Sequence, residues 1–414
     1  MTLIPAFQHH KILHYDVLFS DLAAQLVQDD SLHLVVAGVS RSVWPKLHRI
    51  ICLSVPPSVL ASSIELLARG VSMYKCAIIG VSGGRAHGLA EAYAHIRRGK
   101  LAAISSRQQD KLDAFGEKFC VDVRYTDFRE MFAKERPDLV HVNTPPTVRL
   151  EIMEAAEAAG IPSLVIEKPL ACQGEDFVAI REFAARSSAK ISINHQLHFH
   201  PRRMVLQQMV QDGRIGDTCS IEASARMNLA YQGTHSLQAI GAFLPDARPV
   251  SVFGQVSGSD GLQETRGQHY APDQSLAAIS YDNGVHATLQ CGANAPRVRR
   301  DDDRIHTHKR IVVHGSRGYV HWTMWSWETF VEGVYDSGTH EYPEEDILGQ
   351  AGLTEAMFDW LEDDGAIHPL NLDLALQDFN VVLGMYMSAL NHTVVSLPVE
   401  PEPDLIEKLR RALT

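Results

Sequence analysis

The sequence lacks the features that mark several classes of protein. Its 414 residues contain only six cysteines, and no two of these form a C-x-x-C pair, which excludes a disulfide framework. We expect the cysteines to be reduced and mostly buried. Basic residues are also few, because 38 Lys and Arg stand against 50 Asp and Glu and give a formal net charge of −12. This acidic balance argues against nucleic acid and an anionic membrane as partners.

Long apolar runs and an export signal are missing as well. The most apolar early stretch, residues 50–68, contains Pro56, Pro57 and Glu65, a mixture that a membrane-spanning helix tolerates poorly. Residues 1–10 show no basic segment followed by an apolar one. We therefore expect a cytoplasmic protein with no membrane partner. Hydrophobic residues make up 45% of the chain, and a chain of this length can bury a sizeable core.

Short apolar strands alternate with helical segments between residues 73 and 195. Strands are predicted at residues 75–80, 101–105, 121–125, 139–142, 163–166 and 190–193. Alternation of this kind, with strands that are nearly all apolar, predicts a parallel sheet covered by helices on both faces. We assign residues 73–195 to an α/β, Rossmann-type, doubly wound dinucleotide-binding domain.

The hydrophobic period changes after about residue 200. Strands are predicted at residues 251–256, 276–281, 285–291, 310–314 and 319–322, with hairpin-turn chemistry at residues 282–284 and 315–318. Helices return at residues 372–390 and 405–413. We assign residues 196–414 to an α+β substrate-binding and oligomerisation domain with a mainly antiparallel sheet. Residues 1–72 fit neither half; we favour an upstream extension with a misassigned start over a small regulatory or oligomerising segment.

The turn after the first strand has the composition of a phosphate-binding loop. Gly80, Gly83 and Gly84 accompany Ser82 and Arg85, and small residues at such a turn let a pyrophosphate approach the N–H groups of the next helix. The G-x-G-x-x-G pattern is not met, because Ser82 and Arg85 occupy its second and third glycine positions. A plain connecting turn is the alternative, and the place of this turn after the first strand favours cofactor binding.

The end of the second strand bears on the choice of nicotinamide cofactor. It contains Ser105, Ser106 and Arg107 where an NAD site usually has a carboxylate for the ribose hydroxyls. Small hydroxyls and an arginine suit a 2′-phosphate, so we favour NADP over NAD. The alternative is that Arg107 simply starts an exposed helix.

The string Val165-Ile-Glu-Lys-Pro-Leu170 ends a buried parallel strand, at the sheet edge where ligands bind. Together with Gly80, the string Asn143-Thr-Pro-Pro146 and the α+β second half, it resembles the glucose–fructose oxidoreductase/inositol dehydrogenase/MocA (Gfo/Idh/MocA) family over about residues 73–400. The resemblance implies a large open sheet in the second domain that makes subunit contacts, and hence a homodimer or homotetramer.

The resemblance also implies roles for individual residues. Lys168 would reach the nicotinamide and a substrate hydroxyl, and His235 would be the general base with a pKa near neutrality. Tyr231 stands where the family commonly has Asp; it would relay or orient a proton, or else mark an altered substrate or lost activity. The expected cofactor contacts are Gly80, Ser82, Gly83, Gly84, Arg85, Ser105, Ser106, Arg107, Asn143, Thr144, Pro145, Glu167 and Lys168. The expected substrate contacts are His195, His198, Asn228 and Gln232.

Other histidines and the tryptophans are given less specific roles. His195, His198 and His200 lie on a segment expected to be extended, with no Asp, Glu or Cys nearby in the sequence, so we predict no metal site. We expect His306 and His308 at the surface. Three tryptophans are assigned to the sheet core or a subunit interface rather than to stacking on a sugar: Trp322, Trp325 and Trp327.

The sequence therefore predicts an oxidoreductase that transfers a hydride between NADP(H) or NAD(H) and a secondary hydroxyl or keto carbon. A sugar, polyol or glycoside is the expected substrate, and an imine or pyrrole stays open. The rival from another class is a catalytically silent nucleotide-binding regulator of the same fold. Lys168 and His235 favour the enzyme, whereas the departures at Ser82, Arg85 and Tyr231 favour the regulator.

Overall fold

The computed structural model describes residues 73–263 and 269–413, so the extension assigned to residues 1–72 lies outside the described residues. A six-stranded and a nine-stranded sheet organise the fold. No helix in the described ranges is long and apolar enough to cross a membrane.

The first sheet is parallel throughout, in the order β3-β2-β1-β4-β5-β6. Its strands are β1 (Tyr74–Ile79), β2 (Gly99–Ser105), β3 (Arg124–Tyr125), β4 (Leu139–Val142), β5 (Ser163–Glu167) and β6 (Lys190–Asn194). The intervening helices are α1 (Gly84–Ala92), α2 (Gln109–Phe119), α3 (Phe128–Glu135), α4 (Arg149–Ala158) and α5 (Gly174–Ala184). The predicted doubly wound sheet is thus confirmed, and its chain order reverses between β1 and β4, where ligands of such sheets bind.

The second sheet has the order β14-β13-β12-β11-β7-β10-β9-β8-β15. Its strands are β7 (Thr218–Ala225), β8 (Pro249–Ser257), β9 (Gln274–Tyr281), β10 (His286–Cys291), β11 (Lys309–Gly315), β12 (Gly318–Thr323), β13 (Ser326–Val331), β14 (Val334–Thr339) and β15 (Val395–Ser396). The remaining helices are α6 (Pro201–Gln211), α7 (Thr234–Phe243), α8 (Tyr342–Glu362), α9 (Leu372–Asn391) and α10 (Leu405–Leu413). β7 and β10 pair in parallel and the other neighbours are antiparallel, which confirms the mainly antiparallel prediction.

One face of the second sheet is covered by helices and the other is open. Along β9 the side chains alternate, with Ala277 and Ile279 buried and Leu276 exposed, as expected for a half-covered sheet. Helix α9 approaches β8 closely at Gly254, where a Cβ would lie 2.5 Å from the carbonyl oxygen of Met385. Glycine is therefore required at this contact.

Helix α8 packs against the first sheet although it follows the strands of the second. Phe358 stacks on Tyr74 of β1 with ring centroids 4.4 Å apart. Arg98, just before β2, donates to Glu355 over 2.7 Å and to Asp359 over 2.7 Å. These contacts hold the C-terminal half of α8 beside the amino ends of β1 and β2.

Several local predictions are wrong. The segment expected to be extended forms a 3₁₀ helix over Gln196–Phe199 and continues into α6. Strands β7, β13, β14 and β15 and helices α6 and α8 were not predicted, and half of β7 consists of Ser and Ala, which give little strand signal. His306 is exposed as expected, but His308 is fully buried, where its Nε2 donates to the Asp302 carbonyl over 2.8 Å.

Three of the five described cysteines are buried, namely Cys76, Cys172 and Cys291. Cys120 and Cys219 are exposed. Trp322 is buried in the sheet core, as one of the two expected placements has it.

Candidate functional site

The ends of β1, β2 and β4 meet at Gly80. Its N–H donates to the Ser105 carbonyl over 2.8 Å, and its own carbonyl accepts from Asn143 Nδ2 over 2.9 Å. Gly80 has a φ of +88°, and a Cβ there would lie 2.3 Å from the Asn143 carbonyl oxygen. Only glycine fits, and three of the predicted cofactor residues are thereby brought together.

The N-terminus of α1 offers open backbone donors. Gly83 is the N-cap, no side chain caps the helix, and its first turn contains no acidic residue. A Cβ on Gly83 or Gly84 would meet nothing within 4 Å, so packing within the protein does not require these glycines. Uncapped N–H groups facing open space fit the pyrophosphate of a dinucleotide. Ser82 is exposed beside them, and its hydroxyl donates to Gln108 over 3.2 Å.

Arg85, in the third position of the glycine pattern, is tied to helix α8. Its Nη1 lies 3.1 Å from Asp346 Oδ2, and the other oxygen of Asp346 accepts from Gln196 Nε2 over 2.7 Å. The phosphate-binding turn is therefore anchored to α8 and to the segment that follows β6. Asp346 and Gln196 were not among the predicted site residues, and no local motif points to them.

The residues after β2 differ in exposure. Ser105 and Ser106 are buried, whereas Arg107 is exposed. In the described part of the chain, Arg107 has no ion pair, so its guanidinium can meet a ligand.

A buried arginine joins the loops after β4 and β5. Arg149 donates to the Thr144 carbonyl over 2.8 Å, to the Lys168 carbonyl over 3.3 Å, and also to the Pro169 carbonyl. Burial lowers its pKa to about 10. Arg149 positions the loop of Thr144 and Pro145 against the E-K-P string, and sequence reasoning missed it because it looks like an ordinary helix residue.

Lys168 is 8% exposed at the end of β5. Its Nζ donates to the main-chain carbonyl of Tyr231 over 2.7 Å. Burial lowers the pKa of Lys168 to about 8, assisted by Arg85 and opposed by Glu167. Glu167 is itself held by Asn194 Nδ2 over 2.9 Å. The lysine of the first domain thus contacts the turn that precedes His235.

That turn is a single π-helical turn over Leu229–Gly233. Asn228 caps it, because its side chain accepts from the Tyr231 N–H over 3.0 Å. The Tyr231 ring stacks on His269 with centroids 4.5 Å apart, and its main-chain carbonyl accepts from Lys168. Gln232 lies in the same turn with a buried Oε1. Of the predicted substrate residues, Asn228 is therefore engaged in local structure.

His235 and His195 face each other behind this turn. Their Nδ1 atoms are 3.3 Å apart and their rings are nearly perpendicular. Burial lowers the pKa of His195 to about 3 and that of His235 well below its usual value, and nearby Lys168 adds to both shifts. The near-neutral pKa expected for His235 is therefore wrong for this buried ring. Both imidazoles are neutral at pH 7, and one Nδ1 donates to the other.

His198 points to a neighbouring position on α7. Its Nδ1 accepts from Gln238 Nε2 over 3.1 Å, and Gln238 Oε1 accepts from Arg203 over 3.3 Å. Burial lowers the pKa of His198 to about 3. His198 is therefore held by protein partners, one helical turn away from His235.

Two further titratable groups lie close to the histidine pair. Asp378 of α9 lines a cavity of about 20 Å³ together with His195 and Thr234, and burial raises its pKa to about 7. Lys309 is buried, donates to the His306 carbonyl over 2.6 Å, and has a pKa lowered by burial to about 7. The sequence could have indicated Asp378, because it is an acidic residue within the apolar stripe of residues 372–390. A larger cavity of about 480 Å³ lies by Arg310 and Trp327, and its lining includes none of the predicted site residues.

The family model described as "Oxidoreductase family, NAD-binding Rossmann fold" matches residues 74–195. The dinucleotide-binding part of the chain is thus similar to the Gfo/Idh/MocA oxidoreductases. The chain is also 24% identical over 146 residues to the D-apiose dehydrogenase of Paraburkholderia graminis, which covers 35% of this chain and 38% of that protein. It is 22% identical over 225 residues to the inositol 2-dehydrogenase of Rhizobium meliloti, covering 53% and 67%.

Likeness to solved structures extends over more of the chain. An inositol dehydrogenase homolog complexed with NAD⁺ from Azotobacter vinelandii has a TM-score of 0.64 and 18% identity, covering 78% of this chain and 97% of that structure. At this identity the likeness concerns the fold. The chain thus spans only part of the D-apiose dehydrogenase that it matches in sequence, yet nearly all of the solved inositol dehydrogenase homolog.

Proposed function

We propose that the chain is a nicotinamide-dependent dehydrogenase or reductase for a secondary hydroxyl or keto carbon of a sugar, polyol or glycoside. The observation that carries the proposal is the hydrogen bond from Lys168 to the turn before His235. Lys168 lies at the edge of the first sheet where α1 begins. The dehydrogenases for apiose and inositol among the relatives support a carbohydrate-like substrate.

Each residue at this edge of the first sheet has a separate role in the proposed reaction. Gly80, Gly83 and Gly84 would hold the dinucleotide, which supplies a hydride acceptor or donor when bound. The Lys168 ammonium stabilises negative charge on the substrate oxygen. The neutral pair of His235 and His195 has a lone pair free to accept the hydroxyl proton, because burial keeps both rings uncharged.

We further propose that NADP is preferred to NAD. Ser105 and Ser106 leave room where a carboxylate would repel a 2′-phosphate, and the exposed Arg107 can pair with it. Fluorescence titration of the full chain with NADPH and NADH tests this, with Arg107→Glu as the variant. We expect the preference to shift toward NADH by about tenfold or more, as for loss of an ion pair worth 1–2 kcal/mol. An unchanged ratio would refute the assignment.

The oxidoreductase is tested by screening sugars and polyols with NADP⁺ and NAD⁺. Lys168→Ala should reduce turnover by a factor of about a hundred or more while nucleotide still binds. The silent regulator is favoured by the departures from the family pattern at Tyr231, whose ring stacks on His269, and at Arg85, which pairs with Asp346. Tight nucleotide binding without turnover on any sugar or polyol would support the regulator instead.

We also propose that the chain forms a homodimer or homotetramer through the open face of the second sheet. Phe253 of β8 and Leu276 of β9 lie on this face and are 41% and 51% exposed, which is unusual for large apolar residues on adjacent strands. Light scattering after size exclusion should show dissociation in Phe253→Asp. Ile367→Asp, also exposed but outside the sheet, is the matched control and should leave the assembly intact.

A further inference from the structure

Three side chains that are distant in the sequence converge beside the start of α8. His200 precedes α6, His340 joins β14 to α8, and Glu345 lies in the first turn of α8. One nitrogen from each histidine and one carboxylate oxygen all lie within 4.8 Å of one another. His200 Nε2 is 3.5 Å from Glu345 Oε2, and the two imidazole centroids are 4.6 Å apart.

The converging atoms have no hydrogen-bond partners among residues 73–263 and 269–413. This holds for both ring nitrogens of His200, for Nδ1 of His340 and for Oε2 of Glu345. His200 is completely buried. Buried polar atoms are nearly always satisfied because leaving them unpaired costs free energy. Each of the three residues therefore has an unsatisfied polar atom, and a ligand that accepts lone pairs would satisfy the three atoms that converge.

The remaining contacts orient these atoms as metal ligands. The Thr323 carbonyl accepts from His340 Nε2 over 3.0 Å, which places the ring proton on Nε2 and leaves a lone pair on Nδ1. Metal-binding histidines are typically fixed in this way by a carbonyl on the opposite nitrogen. Trp322 packs against both histidine rings, at 5.2 and 6.0 Å between centroids, and provides an apolar wall.

We propose that His200, His340 and Glu345 bind one divalent transition-metal ion, with Zn²⁺ as the best match. Two imidazoles and a carboxylate are a donor set that suits Zn²⁺ and leaves a fourth position for water. Mg²⁺ and Ca²⁺ prefer oxygen ligands and match it poorly. The Glu345 side chain is 23% exposed, which gives the ion a path of entry.

The bound ion would tie the segment after β6 to α8. That segment carries His195 and His198, and α8 carries Asp346, the partner of Arg85. The site is separate from the proposed redox chemistry and revises the expectation of no metal site. That expectation rested on the lack of a carboxylate near His200 in the sequence, and the fold supplies Glu345 from α8, which follows β14 in the chain.

Zn²⁺ titration of the full chain tests the site. The protein is first stripped by dialysis against a chelator, and Zn²⁺ is then measured in competition with a chromogenic chelator. We expect one tight Zn²⁺ per chain, visible d–d absorption with Co²⁺, and no competition from Mg²⁺. His340→Gln and Glu345→Gln should each weaken Zn²⁺ binding by on the order of 100-fold or more, since loss of a direct ligand exceeds loss of an outer contact.

His321→Gln is the matched control. His321 Nδ1 lies 2.9 Å from Glu328 Oε1, a histidine–carboxylate pair with no third ligand group in the described part of the chain, so its loss should leave the tight site unchanged. Equal Zn²⁺ affinity in the wild type and Glu345→Gln would overturn the proposal, as would the lack of tight binding. Glu345→Gln decides the matter if His340→Gln fails to fold by circular dichroism, because Glu345 is partly exposed.

Discussion

The alkaline limb of the pH–rate profile should report directly on the burial of Lys168. With a pKa of about 8, Lys168 is protonated in about ten molecules of eleven at pH 7, and in about one of eleven at pH 9. If the ammonium stabilises the substrate oxygen, kcat/KM at pH 9 should be about one-tenth of its value on the plateau at pH 6–7. An exposed lysine would keep its charge to about pH 10, and kcat/KM would then stay on its plateau up to that pH.

Burial and the charged groups around Lys168 together determine the direction in which its pKa shifts. Burial, Arg85 and Arg149 disfavour the ammonium, and Glu167 favours it, with a net lowering of the pKa. The His195 and His235 rings should add no acid limb down to about pH 5, because their pKa values are strongly lowered. The assay is kcat/KM for the best sugar or polyol substrate, measured between pH 5 and 10.

Two lysine variants separate this explanation from others. Lys168→Arg, where active, should move the limb above pH 10, because arginine stays protonated. Lys190→Arg should leave the limb in place, since Lys190 pairs with Asp364 over 2.6 Å at the far end of β6. A limb with the same midpoint in Lys168→Arg, or an acid limb near pH 6.5, would refute the reasoning.

Three substitutions test the packing around the site by chemical denaturation and nucleotide titration. Gly80→Ala should cost at least about 2 kcal/mol of stability and abolish nucleotide binding, because φ is +88° and Cβ would overlap Asn143. Gly254→Ala should cost about 2–3 kcal/mol through its clash with Met385, with nucleotide affinity unchanged. Because the pKa of Asp378 is raised in the folded state, the folded state loses stability as the pH rises from about 4 to about 7. Asp378→Asn should therefore stabilise the protein by on the order of 1–2 kcal/mol at pH 8 and by little at pH 4. Equal effects of Asp378→Asn at both pH values would contradict this.

The part of the site where the chain order reverses, between β1 and β4, could be predicted from local sequence. Gly80, Ser105, Asn143 and Lys168 each end or follow an apolar strand, and parallel strands bring their carboxyl ends to one edge. Period and composition were sufficient to predict the first sheet because each of its strands is a nearly continuous apolar run. The same signal was weak in β7 and β14, where polar and small residues predominate, and these strands were missed.

Contacts between distant segments were not predictable, because no local pattern encodes them. Arg149 bridges two loops through backbone carbonyls, and Glu345 meets His200 only through the packing of α8. The lowered pKa of His235 has the same origin, since it depends on the depth of burial and on His195 at its side. Sequence reasoning identified the ring and its neighbourhood, but not its protonation state.

These contacts explain two of the three departures from the family pattern, those at Arg85 and Tyr231. Arg85 replaces a glycine, and Asp346 of α8 meets the added charge at 3.1 Å, so the turn keeps its open N–H groups while gaining an anchor. Tyr231 replaces an acid, yet Lys168 bonds to the carbonyl at that position, which any residue provides. The lysine is therefore positioned by the π-helical turn itself. What the tyrosine changes is the side-chain chemistry of this position, where its ring stacks on His269, and this is where differences in substrate should originate.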